Sequence, residues 1–179
     1  MTRRCASTGL AFGLALFFSG WAIAGVGTST LTAQTQVNSN CTISTSPVAF
    51  GNYDPIGANK TSDLNSIGTI TIACVKGTAP TIGLGLGGNP AGSTRRMQNT
   101  VAPGNFLQYE LYQPSGPAPN APCAFPGTTI WGTSGANLFS AGSAPNKNAR
   151  TYNVCGTVPA GLSPAIGNYQ DTVVATVNF

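Results

Sequence analysis

The feature that most constrains this chain is a two-residue rhythm of apolar side chains, broken every few residues by turn-forming ones. After residue 24 no stretch of 11 or more residues keeps a helical apolar period free of Gly or Pro. In residues 68–75, Ile70, Ile72 and Cys74 share one face, while Thr69, Thr71 and Ala73 share the other. In residues 81–86, Ile82, Leu84 and Leu86 alternate with Thr and Gly, and in residues 106–112 Leu107, Tyr109 and Leu111 do the same. Residues 172–179 set Val173, Ala175, Val177 and Phe179 against Thr172, Val174, Thr176 and Asn178. Between these runs stand Asn52-Tyr53-Asp54-Pro55, Gly87-Gly88-Asn89-Pro90, Pro103-Gly104-Asn105 and Gly167-Asn168. Many short strands at this spacing predict an all-β sandwich in one domain. The Pro-rich residues 114–126 cannot join a central sheet, so they read as a long surface connection tied down by Cys123.

The first 24 residues read as an export leader. Arg3 and Arg4 precede an apolar run over residues 10–18, and Ala22-Ile23-Ala24 offers a small-residue cleavage site. That run is shorter than the ~20 residues a membrane-spanning helix needs, and no second long apolar stretch follows. Cys5 leaves with the leader, and Cys41, Cys74, Cys123 and Cys155 remain. Four cysteines in an exported chain imply two disulfides, with three connectivities open. Sequential pairing closes two loops of similar length, each stabilising by roughly 3–4 kcal/mol in the chain-entropy picture. A zinc site fits poorly, since the chain holds no His and no CxxC pair.

Residues 25–40 are polar yet alternate, with Leu31, Ala33, Thr35 and Val37 on one face and Thr30, Thr32, Gln34 and Gln36 on the other. This segment is either the first strand of the sandwich or a donor strand that leaves its own domain to complete a neighbour's sheet. The division expected is therefore a leader at 1–24, a donor segment at 25–40 and a β-sandwich at 41–179.

Enzyme chemistry finds little to work with. Without His there is no Ser–His or Cys–His arrangement. Asp54, Asp63, Glu110 and Asp171 are expected as turn, cap and surface polar residues, not as a catalytic pair. Gly83-Leu84-Gly85-Leu86-Gly87 lies in a strand pattern with no helix after it, so it is not a phosphate loop. The chain is only 7% charged and shows no basic stripe, which argues against a nucleic-acid partner. Arg95-Arg96 reads as a solvated turn. Trp131 with Tyr109 and Tyr112 could form a sugar platform, although core packing suits Trp131 and Tyr109 better. No cofactor is expected.

Several ordered patterns carry a resemblance. They begin with Cys41-Thr42-Ile43, Phe50-Gly51-Asn52-Tyr53-Asp54-Pro55 and Gly68-Thr69-Ile70-Thr71-Ile72-Ala73-Cys74. Arg96-Met97, Leu107-Gln108-Tyr109-Glu110-Leu111-Tyr112 and Trp131-Gly132 follow. Gly156-Thr157-Val158-Pro159-Ala160 and residues 169–179 complete the set. Together they cover most of residues 41–179, and the chain resembles the spore coat U domain family, which includes subunits of archaic chaperone–usher pili. The resemblance implies an incomplete immunoglobulin-like β-sandwich completed by donor-strand exchange. It implies a periplasmic chaperone, an outer-membrane usher, and identical or related pilus subunits as partners. The chain would travel through the periplasm to a pilus or fimbrium on the cell surface, where it would support adhesion and biofilm formation.

The same resemblance favours a Cys41–Cys74 disulfide, and Cys123–Cys155 is then the remaining pair. Val173, Ala175, Val177 and Phe179 would line the acceptor groove, because an apolar edge strand with nothing to cover it needs a partner. Leu31, Ala33, Thr35 and Val37 would be the donor residues that fill it. A secreted lectin-like or spore-coat β-sandwich binding protein is the alternative.

Overall fold

The computed structural model describes residues 25–179, so the expected leader at 1–24, Cys5 included, lies outside it. The chain divides into two units, residues 1–36 and 37–179. In the described part of the first, residues 25–36 hold no helix or strand and are exposed, Leu31 at 95%.

The second unit is the sandwich. Its strands are β1 (Cys41–Ser46), β2 (Leu64–Cys74), β3 (Thr81–Leu84), β4 (Arg95–Asn99), β5 (Phe106–Tyr112), β6 (Phe139–Ser140), β7 (Arg150–Val158), β8 (Tyr169–Gln170) and β9 (Ala175–Asn178). A six-stranded sheet runs in the order β1-β2-β7-β5-β4-β8, and a three-stranded sheet in the order β6-β3-β9. Every pairing is antiparallel.

The alternation seen in sequence is the alternation of the core. Ile70 and Ile72 of β2, and Leu107, Tyr109 and Leu111 of β5, point inward with Tyr152, Val154 and Val158 of β7. They meet Ile82 and Leu84 of β3 and Phe139 of β6 across the sandwich. At ~25 cal/mol per Å² of apolar surface removed from water, this face supplies the main drive for folding.

Several expectations need correction. Residues 25–40 carry no strand, so β1 at Cys41 opens the sandwich. β3 stops at Leu84, and Leu86 beyond it is exposed. The run at 172–179 is not one strand, since residues 171–174 cross from β8 in one sheet to β9 in the other. Arg95-Arg96 is no solvated turn: both residues belong to β4, and Arg95 is 0% exposed.

Cys41 faces Cys74 directly across the β1–β2 ladder and is bonded to it. Cys123 is bonded to Cys155, which ties the Pro-rich connection to the outside of β7.

Candidate functional site

Each sheet ends on a strand whose outer edge has no strand partner among the described residues, and β9 is one of these edges. Beside it the two sheets do not close. A cavity of about 310 Å³ opens there, floored by Ile70, Tyr109, Leu111 and Val154 of the large sheet. One wall is the end of β1 and the chain after it, from Thr45 to Val48 with Phe50; the other is Tyr169 to Asp171 with Val173 and Ala175. A second cavity of about 580 Å³ lies between residues 48–55 and 164–169. The two are adjacent parts of the groove, with Val48, Phe50, Met97 and Tyr169 lining both.

Two inward glycines place the first wall. A Cβ on Gly68 would stand 2.6 Å from Val48 Cγ2, and one on Gly156 would stand 2.5 Å from Val48 Cγ1 and 2.8 Å from Phe50 Cζ. Their bareness lets residues 48–50 lie flat on β2 and β7 instead of filling the groove. The far end of this segment is pinned by Tyr53, whose hydroxyl donates to Pro159 O at 2.8 Å and accepts from Leu162 N at 3.0 Å.

The second wall is held by polar bonds. Tyr109 Oη donates to Asp171 Oδ2 at 2.6 Å, and Gly88 N donates to Asp171 Oδ1 at 2.8 Å. Burial first, and then the bond to Asp171, push the Tyr109 hydroxyl well above the usual tyrosine range, so it stays a donor. Beneath them lies Arg95, a residue that hydrophobic periodicity cannot find. Its guanidinium donates to Gly85 O at 2.9 Å, Leu84 O at 3.0 Å and Trp131 O at 2.6 Å, and it pairs with Glu110. One side chain of the large sheet thus clasps the end of β3 in the small one. Arg95 stands opposite the inward Tyr109 in the β4–β5 ladder, a register that the sequence does not show.

The structure distributes the expected groove residues unevenly. Val173 and Ala175 line the cavity. Val177 lines neither cavity and packs against the core opposite Ile82. Phe179 lines neither cavity and is 55% exposed. The reason is local: the sheets part where residues 171–175 cross between them, and beyond Ala175 the chain is held in the small sheet.

The other singled-out residues have structural roles. Trp131 is 0% exposed and donates from Nε1 to Ile82 O at 2.9 Å, and Tyr109 is buried too, so these rings offer no surface platform. Tyr112 is half-buried, on the outer face of β5. Asp54 accepts from Ile56 N and Gly57 N in a tight turn, and Asp63 accepts from Ala160 N. Glu110 is part of the Arg95 clasp and not a surface polar residue. Among the described residues no group of His, Cys, Asp or Glu is placed to hold a metal ion.

The description "Spore Coat Protein U domain" matches residues 27–176, nearly the whole described chain. The chain belongs to this spore coat protein U domain family. Protein U of Myxococcus xanthus is 35% identical over 139 residues, covering 73% of this chain and 70% of that protein. Among known structures, a chain of the CsuC–CsuE chaperone–tip adhesion subunit pre-assembly complex, from the archaic chaperone–usher Csu pili of Acinetobacter baumannii, superposes with a TM-score of 0.52 at 25% identity. That match covers 80% of this chain and 40% of the other, so this chain spans less than half of its structural relative. The spore coat U match begins at residue 27, ahead of β1, and so takes in the exposed alternating segment as well as the sandwich.

Proposed function

We propose that this spore coat U chain is a structural subunit of an archaic chaperone–usher surface fibre, polymerising by donor-strand complementation. The observation that carries the reading is the groove: an apolar floor, two parted walls, and beside them β9 with an edge that pairs with nothing among the described residues. A strand laid along that edge gains main-chain hydrogen bonds, and its alternate side chains fill the groove. In the proposed cycle a periplasmic chaperone occupies the groove first. At the outer-membrane usher, residues 25–40 of the next subunit replace it, with Leu31, Ala33, Thr35 and Val37 inward. Residues 1–24 would be the leader that brings the chain to the periplasm, and the finished fibre would support adhesion and biofilm formation.

The test is fibre assembly in cells that also make the chaperone and usher. Leu31→Asp should stop polymerisation, because it sets an unpaired charge in an apolar groove. It should leave chaperone capture intact, since the chaperone holds the groove and not the donor. Thr32→Asp, one residue away and facing outward, should assemble nearly as the parent does. Normal fibres from Leu31→Asp, or equal harm from both changes, would exclude the donor assignment.

A further inference from the structure

We propose that Asp171 sets the register of the incoming strand by taking the hydroxyl of Thr35 from the neighbouring copy, with that strand antiparallel to residues 171–177. The inference rests on the strand-accepting reading above and goes on to specify how the strand is aligned.

Asp171, Val173 and Ala175 line the cavity at alternate positions of the segment that crosses between the sheets and enters β9. Two residues of strand advance ~6.6–6.8 Å, and Leu31, Ala33, Thr35 and Val37 carry the same step. Among the described residues Asp171 is the one acidic residue that lines the groove. Its oxygens each accept one bond, from Tyr109 Oη and Gly88 N. A carboxylate can accept about four, so acceptor capacity remains on a residue that lines the groove. A seated strand would close Asp171 off from solvent, and a carboxylate left short of donors in an apolar groove is costly. Of the four donor residues only Thr35 has a side-chain O–H.

Size then chooses among the alignments that satisfy Asp171. With Thr35 at Asp171 and the strands antiparallel, Ala33 meets Val173 and Leu31 meets Ala175, small against large in both cases. Val37 comes to Tyr169, where the second cavity begins. A parallel strand would bring Val37 onto Val173 and Ser39 onto Ala175, with Leu31 beyond the cavity. Slipping by two residues puts Ala33 or Val37 on the carboxylate. Slipping until Ser29 reaches it brings Gly27 and Gly25 to Val173 and Ala175, and the cavity stays unfilled. A single polar position in an apolar seam is the device that fixes register in coiled coils, at some expense of stability.

The experiment uses full-length chain carrying Leu31→Asp as the acceptor, so that its own donor segment does not compete. Peptides spanning residues 25–40 are measured for binding to it. The parent peptide should bind, Thr35→Ser within about threefold of it, and Thr35→Val about tenfold or more weaker, the scale of one lost bond to a charged group. A peptide with Ala33→Cys should oxidise onto acceptor Val173→Cys in preference to Ala175→Cys. If the parent peptide does not bind, the strand-accepting reading itself falls. If it binds and Thr35→Val binds equally well, or the cross-link prefers Ala175→Cys, the groove accepts strands but Asp171 does not set their register.

Discussion

The two flanks of β3 are built from the same sheets and end in opposite conditions. On the β6 side the sandwich is sealed. Phe139 packs tilted against Trp131 and edge-on to Tyr152, with ring centroids 4.9 and 5.1 Å apart. Trp131 N donates to Leu111 O of the large sheet at 2.8 Å, and Leu84 N of the small sheet donates to Gly132 O at 3.0 Å, so residues 131–132 stitch the sheets together. Arg95 adds its clasp at the same seam. On the β9 side there is no equivalent stitch among the described residues; the walls are held apart by bare glycines beneath and by Tyr109 and Asp171 opposite. The contrast teaches that one flank carries the fold while the other is left open; on the function proposed above, the open flank is where a second chain would add its strand.

The largest effect should come from breaking the sealed flank. Trp131→Ala should destabilise by about 3–5 kcal/mol, the usual result of truncating a buried indole, and urea unfolding of the full-length chain measures it. Added donor peptide should not restore the loss, because it binds on the other flank. Gly156→Ala is smaller and more diagnostic. Overpacking of this kind costs about 1–3 kcal/mol, and here it should push Val48 and Phe50 into the groove. Peptide capture should fall further than stability does, and comparing capture with urea midpoints separates the two. Val174→Thr sharpens the limits of the groove: this residue is exposed on the outer face between two groove-lining neighbours, so stability should move by no more than about 0.5 kcal/mol and capture should hold.

The sealed flank and the open one were unequally legible. Period-two alternation found β2, β3 and β5, whose inward residues are apolar and whose ends are marked by Gly and Pro. It missed β4, where Arg95 stands inward, because a buried charge paid for by three carbonyls and a carboxylate looks like surface in sequence. It also passed over β7, although Tyr152, Val154 and Val158 alternate. Gly156 interrupts that run for the sake of Phe50, a contact more than 100 residues away in the chain. The groove was legible as the expectation of an uncovered C-terminal edge, but its position was not. Val173 and Ala175 line it, whereas Phe179 does not, because the sheet crossing at 171–174 is a tertiary event that alternation alone cannot reveal.

The most direct measurement is amide hydrogen exchange on the full-length Leu31→Asp chain, with and without a saturating peptide of residues 25–40. Exchange resolves opening segment by segment, so the two flanks report separately. Binding in the groove should slow exchange along residues 173–177 and 45–50 and leave the amides of Trp131 and its neighbours unchanged. Unaltered exchange along residues 173–177 in the presence of bound peptide would contradict strand addition at β9, and with it the division of labour between the flanks.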